Sequence, residues 1–325
     1  MQAIIVKQFG GPEALQLSEI SQPQPSAQQL LIRVHACGVN RADVLQRGGN
    51  YPPPPGESEI LGLEIAGEVA AFGSEVTRFS KGQRVCGLVG GGAYAEYCVI
   101  DQQLAMPIPG TLSYQQAASI QEAFLTAYEA IFTLATLQAK QTILIHAGAS
   151  GVGLAAIQLA KAIDATVIAT AGSEEKCRHI KQVGADLAIH YRSQDFVDIV
   201  SEFTAKQGID VIIDFIGKDY LQRNLHCLAR RGRLILVATL SGSNCEIDLL
   251  TIIRKQLQIK GLIMRSRPLS EKRDFTKRFQ QEWLPKFDKG ILKPVIDSVY
   301  PLAEAAKAHQ RMELNQNIGK IILVV

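Results

Sequence analysis

The chain has 325 residues, 47% hydrophobic and 20% charged, with 34 Lys and Arg against 31 Asp and Glu for a formal net charge of +3. That balance excludes a disordered chain, a collagen-like repeat and a polybasic nucleic-acid binder, and the length suits two domains. The longest apolar stretches, such as Gly208–Gly217 and Leu234–Leu240, fall far short of the ~20 residues of a membrane span. Met1 to Lys7 shows no basic region ahead of a long apolar run, so no secretion signal is expected. The six cysteines, at 37, 86, 98, 177, 227 and 245, form no C-x-x-C pair. Neither a disulfide framework nor a zinc ribbon is expected, and the setting expected is a reducing cytoplasm. Cys37, two residues after His35, is the one candidate for a catalytic thiol, although on a strand this spacing merely puts both on one face.

Through residue 120 the hydrophobic spacing is nearer two than 3.6, with Gly and Pro as breaks. It predicts strands at Ala3–Val6, Leu30–Ala36, Leu61–Phe72, Arg84–Val89 and Tyr94–Ile100, and one helix at Arg41–Gln46. The four prolines of Tyr51-Pro52-Pro53-Pro54-Pro55-Gly56 forbid ladder and helix, so this is a loop. A long helix is predicted over Tyr114–Leu137, and from there strands and helices alternate. Strands are expected at Thr142–Ala147, Thr166–Ala171, Leu187–His190, Val211–Phe215, Leu234–Ala238 and Gln258–Ile263. Helices are expected at Val152–Ala162, Glu174–Val183, Phe196–Thr204 and Tyr220–Leu228. Such alternation means a parallel sheet with helices on both faces, so the fold class is α/β, doubly wound, beside a mostly β domain. A helix at Leu302–Met312 and a last strand at Ile318–Val325 with no helix behind it suggest that the tail returns to the first domain.

The most informative stretch runs from Ile143 to Lys161, a buried strand passing through Gly148, Ala149, Ser150, Gly151, Val152 and Gly153 into a helix. Glycines there permit a tight turn and close approach of backbone to phosphate, while free amides and the helix dipole favour the anion. The spacing is G-x-x-G-x-G rather than G-x-G-x-x-G, but a strand before, a helix after and a second strand at Thr166–Ala171 point to a dinucleotide. At the end of that second strand, where an NAD site places a carboxylate on the ribose, the chain reads Ala171-Gly172-Ser173. Lys176 follows, and Tyr191 ends the third strand, so Ser173, Lys176 and Tyr191 are candidates to grip a 2′-phosphate and the expected cofactor is NADPH. Glu174 and Glu175 cut against this as potential ribose ligands, but in the first turn of a helix they also complement the dipole.

These segments, with Asn40-Arg41-Ala42-Asp43, Leu61-Gly62-Leu63-Glu64-Ile65-Ala66-Gly67 and Asn317-Ile318-Gly319-Lys320, resemble a medium-chain dehydrogenase/reductase, and within it the quinone oxidoreductases related to zeta-crystallin. The loop from Gln46 through Tyr51 to Gly56 is similar to a branch induced by a tumour suppressor in animals. The resemblance implies a GroES-like catalytic domain at 1–121, a Rossmann NADP-binding domain at 122–294 and a C-terminal return at 295–325. Homodimerisation is the family expectation, by edge pairing of Gln258–Met264. Where zinc-dependent relatives carry Cys, His and Cys with a nearby Glu, this chain has Asn40, Leu63 and Glu122, with Glu64 retained. Only Cys86 stands in the 86–93 stretch that corresponds to their four-cysteine structural site, so the resemblance implies no metal.

Without a Lewis acid, reduction of a simple ketone is disfavoured, whereas a quinone or other conjugated carbonyl is already activated. The expected activity is therefore NADPH-dependent, metal-free reduction of quinones. Asn40 is the candidate for holding the nicotinamide ribose or the acceptor oxygen, and Asp43 reads as a cap or an ion-pair partner of an arginine. Tyr51, which also matches a proton-donor position in enoyl-thioester reductases, is the candidate for positioning the acceptor or delivering a proton. Val237, Thr239, Met264 and Arg265, at carboxyl ends of strands, are expected to line the nicotinamide site with backbone groups. By resemblance Asn317 closes over the cofactor and Thr126 faces it. Two other readings stay open. One is an enone or enoyl-thioester reductase, for which Arg265, Arg267 and the basic cluster at 272–278 would form the track. The other is an NADPH-binding structural or RNA-binding protein without turnover.

Overall fold

The computed structural model describes residues 1–325. The chain folds as two compact units, Met1–Leu125 with Met264–Val325, and Thr126–Ile263.

In the second unit, six parallel strands lie in the order Leu187–His190, Thr166–Ala171, Thr142–Ile145, Ile209–Asp214, Leu228–Leu236, Gln258–Gly261. The central strands are buried apolar runs because helices cover both faces. Leu144, Ile168, Ile212 and Leu234 pack with Phe196 and Leu225 from two of the helices. The strand order reverses between Thr142–Ile145 and Ile209–Asp214, and a doubly wound sheet binds its ligand outside the carboxyl ends at that point. Two further elements were not foreseen: the helix Leu249–Lys255, and an extension of the fifth strand back to Leu228.

The first unit carries a two-stranded sheet, Gln2–Val6 with Leu15–Glu19, and a seven-stranded one built on Gln29–Val39. That long strand pairs with Glu64–Phe72, Tyr97–Asp101 and, antiparallel, with Lys320–Val324. The tail therefore does return to the first unit, where Ile321 and Leu323 join Leu30, Ile32, Val34 and Ile65 in one core. Residues 264–294, assigned from the sequence to the Rossmann domain, belong to this unit. Their helix Leu269–Glu282 buries Phe275 and Phe279, Phe287 meets Phe124 edge to face at 4.9 Å, and Arg273 pairs with Asp101.

The single helix predicted over Tyr114–Leu137 is three pieces, Tyr114–Ala117, Gln121–Tyr128 and a π-helical turn Glu129–Leu134. The first break has a physical cause: the amide of Glu122 donates to the Glu64 carboxylate at 2.8 Å, so a new helix must start there with its N–H groups free.

Candidate functional site

Each unit brings together one set of candidate residues. In Thr126–Ile263 the strand stops at Ile145 rather than at the expected Ala147, and the chain turns through Ala147, at φ +48°, and Gly148, whose amide bonds the carbonyl of Thr170 at 2.8 Å. Ser150 caps the helix Gly151–Lys161, its Oγ accepting from the Gly153 amide at 3.0 Å. That leaves the amides of Gly151 and Val152 in the positive first turn, beside Ala149. A Cβ on Gly153 would lie 2.5 Å from the carbonyl oxygen of Ala147, so glycine is what lets the turn fold against its own helix.

At the end of the next strand the structure gathers Gly172, Ser173, Lys176 and Tyr191. A Cβ on Gly172 would lie 2.7 Å from the Tyr191 hydroxyl, so Tyr191 stands directly over this glycine. Ser173 caps the helix Glu174–Val183 by accepting from the Lys176 amide at 3.3 Å, and Glu174 and Glu175 sit exposed in its first turn. Across the switch point, Asp214 accepts from the amides of Ile216 and Gly217 at 2.7 and 3.2 Å, and its carbonyl receives the amide of Val237. Burial pushes the Asp214 carboxyl up to about 6, against those two amide bonds, which lower it. Val237 is half-buried and Thr239 exposed, both beyond the strand, which ends at Leu236 rather than Ala238. Thr126 is buried with its hydroxyl unpaired, an orphan that suits a polar group brought by a ligand. Amides at a helix start, a glycine cradle, a lysine in the first turn of the helix that Ser173 caps, and this orphan hydroxyl fit a phosphorylated dinucleotide.

In the other unit Asn40 opens the helix Arg41–Arg47, and most of its side-chain hydrogen-bonding capacity is used. Its Nδ2 donates to Glu64 Oε1 at 3.0 Å and to the Gly38 carbonyl at 3.4 Å, while its Oδ1 accepts from Lys320 Nζ at 2.5 Å. Only a second lone pair on Oδ1 remains to meet a ligand. The Lys320 ammonium also lies 2.6 Å from Glu64 Oε1, so the carboxylate retained from zinc-dependent relatives is held by a lysine, by Asn40 and by the Glu122 amide. Asp43 is a cap, as expected, but its partners are not arginines. It accepts from the amides of Asn40 and Gly62 and from the hydroxyl of Tyr94 at 3.2 Å. Burial pushes its carboxyl up to about 6 although all of these bonds pull the other way.

Behind Tyr94 stands His309, which burial and then Arg47 and Arg41 push down to about 3. The ring is therefore neutral. Its Nδ1 faces the Arg47 donor at 3.2 Å, so Nε2 carries the hydrogen and donates to Tyr94 at 3.0 Å. Cys37 is fully buried and burial raises its thiol well above the ordinary value, while His35 stacks on Tyr114. A thiolate nucleophile is not supported there.

Beside this network lies a cavity of about 610 Å³, lined in part by Leu63, Leu88, Val89, Gly90, Glu122 and Arg265 and roofed by the proline loop from Pro54. Tyr51 is half-buried next to it. The Arg265 guanidinium sits 5.5 Å from its ring centroid and donates to its carbonyl at 3.4 Å. Burial, then the charge of Glu122, raises the Tyr51 hydroxyl above its ordinary value, with Arg265 opposing, so the group stays protonated at neutral pH. Met264 is buried in this unit, and Asn317 is half-buried with its amide on the Gly319 carbonyl at 2.9 Å. No three His, Cys, Asp or Glu side chains come together in a group that could hold a metal ion. Leu63 has no donor atom, and burial pushes the Cys86 thiol up to about 12.

Residues 26–110 match the alcohol dehydrogenase GroES-like domain and residues 151–281 match the zinc-binding dehydrogenase family. The chain is 37% identical to a quinone oxidoreductase of Lama guanicoe over 329 residues, covering 100% of this chain and 98% of the relative. It is 35% identical to a quinone oxidoreductase of Homo sapiens with the same coverage. Its fold superposes on the crystal structure of Escherichia coli quinone oxidoreductase complexed with NADPH at a TM-score of 0.90, with 30% identity and both chains covered in full. The chain belongs to the zinc-independent quinone oxidoreductases of the medium-chain dehydrogenase/reductase superfamily.

For a quinone oxidoreductase family member the sequence exposed most of the cradle but missed three things. Lys320 was read only as part of a motif, although it neutralises Glu64; its apolar neighbours Ile321 and Ile322 were the signal that it is buried. Asp214, a lone acid at the end of an apolar strand, was passed over. The Tyr94–His309 contact joins residues 215 apart, and no local pattern announces it.

Proposed function

We propose that this chain is a metal-free NADPH:quinone oxidoreductase. The observation that carries the reading is the cavity of the first unit, lined by Leu63 and Glu122 where zinc-dependent relatives place metal ligands, in a chain whose other unit carries a dinucleotide cradle, so that the acceptor must be activated by its own conjugation. Bound NADPH supplies the hydride.

The chain's residues bind, orient and protonate. The amides around Ser150, Gly151 and Val152, after the Gly148-Ala149 turn, receive the pyrophosphate. Ser173, Lys176 and Tyr191, next to Gly172, receive the 2′-phosphate. Thr126, Val237, Thr239, Met264, Arg265, Asn317 and the free lone pair of Asn40 are assigned to the nicotinamide half. The apolar wall of the cavity excludes water and flattens the acceptor into one orientation. The protonated Tyr51 hydroxyl is the donor available to the reduced oxygen, and its raised pKa keeps the proton in place until charge develops on the acceptor. That same hydroxyl would serve an enone, whose carbon must be protonated, and this favours the double-bond reductase as the second reading.

The working form is proposed to be a homodimer. Gln258–Gly261 is the outer strand of its sheet, and Ile253, Ile259 and Ile263 on or near it are exposed by 69%, 36% and 50%. No helix of the chain is long and apolar enough to cross a membrane. All six cysteines are unpaired, which suits a cytoplasmic setting. The test is steady-state turnover of NADPH with phenanthrenequinone, a naphthoquinone and an enone side by side. The reading requires the quinones to be reduced fastest, and binding of NADPH with no turnover on any of them would assign the chain to the non-catalytic alternative. Sedimentation of Ile259→Lys beside the wild type checks the dimer.

A further inference from the structure

The cavity carries two cations that quinone reduction does not require. Arg265 and Lys272 line it and are only 4% and 7% exposed. Two other cations on the wall have carboxylate partners: Arg273 grips Asp101 through two bonds, and Arg267 lies 3.5 Å from Glu271. Arg265 has no such contact. Its Nε and Nη1 donate to the carbonyls of Gly90 and Tyr51, which are neutral, and its Nη2 is buried with no partner. Lys272 has one carboxylate contact, a long ion pair at 3.9 Å from its ammonium to Glu57 Oε1, and no hydrogen bond to it. Burial lowers the pKa of both; Glu57 and Glu122, which also line the cavity, oppose this at both cations, and the charge of Arg265 adds to it at Lys272. A buried charged donor left without a partner is costly, and a planar guanidinium beside a point-charge ammonium is a donor set for an oxyanion.

Resting on the assignment of this cavity to the acceptor, we propose that Arg265 Nη2 and Lys272 Nζ form an anion subsite and that the acceptor carries an acidic oxygen group seated on them. The group is a carboxylate or sulfonate on the acceptor itself, or a phosphate on a thioester carrier. These share one chemistry, and two matched pairs of acceptors separate them. The first pair is a naphthoquinone with a carboxyalkyl chain and its methyl ester, alike in ring chemistry and size. The second is crotonyl coenzyme A and crotonyl N-acetylcysteamine, which lacks the phosphates.

For the pair that matches the true source, kcat/KM should favour the anionic member by about tenfold or more, and Lys272→Met should cut that ratio to within about threefold. A preference confined to the second pair assigns the anion to the carrier. Equal kcat/KM within both pairs, or a preference that survives Lys272→Met, overturns the subsite. Equal kcat/KM within both pairs, with both quinones reduced rapidly, would do so while leaving quinone reduction standing. No reduction of either would refute the quinone reading, and the thioester pair would still decide the subsite. Should Lys272→Met fail to fold, inorganic sulfate decides in the wild type at saturating NADPH: competitive inhibition against the carboxylated quinone supports the proposal, and no inhibition overturns it.

Discussion

In Thr126–Ile263 most of the groups proposed to bind the cofactor are backbone amides and short side chains from two turns, residues 147–153 and 171–176. Around the cavity of the other unit the groups are long side chains from stretches far apart in sequence: Asn40, Tyr51, Glu64, Glu122, Arg265 and Lys320. A phosphate cradle is local because a helix start already presents free amides and a dipole, and the sequence need only supply glycine where a side chain would obstruct. A cavity for a flat organic acceptor has no such ready-made unit, and its polar groups must be held by one another, as Asn40 is by Lys320 and Glu64. The cradle should therefore fail at single glycines, while the acceptor side should fail gradually and selectively.

The largest expected effect is on the cradle. Gly153→Val forces side-chain atoms onto the carbonyl of Ala147, and it should weaken NADPH binding by ~100-fold and lower stability by about 1–3 kcal/mol, read by calorimetry and denaturant unfolding. Binding within a few-fold of wild type would show that the turn adapts.

Tyr51→Phe tests the acceptor side by its selectivity. If the hydroxyl donates a proton, kcat on an enone should drop by ~100-fold with KM nearly constant, whereas a quinone, whose product is a weak base, should lose less than ~10-fold. Little loss on either acceptor would mean that the ring merely walls the cavity, and a ~100-fold loss on the quinone would show that acid catalysis governs that acceptor too.

Lys176→Ala sharpens the cradle side. It should weaken NADPH by about 1.5–3 kcal/mol and leave NADH nearly untouched, as measured by the two dissociation constants. Equal losses for both nucleotides would show that Lys176 supports only the fold.

The smallest effect is a pH dependence within the acceptor unit. Because burial raises the Asp43 carboxyl to about 6, the folded chain holds that proton more tightly than the unfolded one between the ordinary carboxylate range and about pH 6. Its contribution to stability is thus present at low pH and is lost as pH rises through that window, by on the order of 1–3 kcal/mol. The difference in unfolding free energy between wild type and Asp43→Asn, followed from about pH 4 to 7, isolates this group from carboxylates such as Asp297 that shift the other way. A flat difference would contradict it.

The same contrast explains what the sequence made legible. The strands Thr142–Ile145 and Thr166–Ala171 and the helix Gly151–Lys161 were read almost to the residue, since buried parallel strands are apolar runs and a glycine turn marks the helix start. Leu15–Glu19 was missed because it pairs only with Gln2–Val6 and stays mostly exposed, leaving no clean alternation. Leu269–Glu282 reads as a basic cluster because only Phe275 and Phe279 mark its buried face strongly. The Arg265–Gly90 bond spans 175 residues, and only the folded chain shows that this arginine belongs to the cavity.

The central claim is that the hydride of NADPH passes to a conjugated acceptor without a metal. It is tested most directly by initial rates of NADPH oxidation with phenanthrenequinone, using protein dialysed against a strong chelator and assayed for zinc. The account predicts turnover equal to that of untreated protein with far less than one zinc per chain. Loss of turnover on chelation that zinc restores, with one zinc bound per chain, would contradict it.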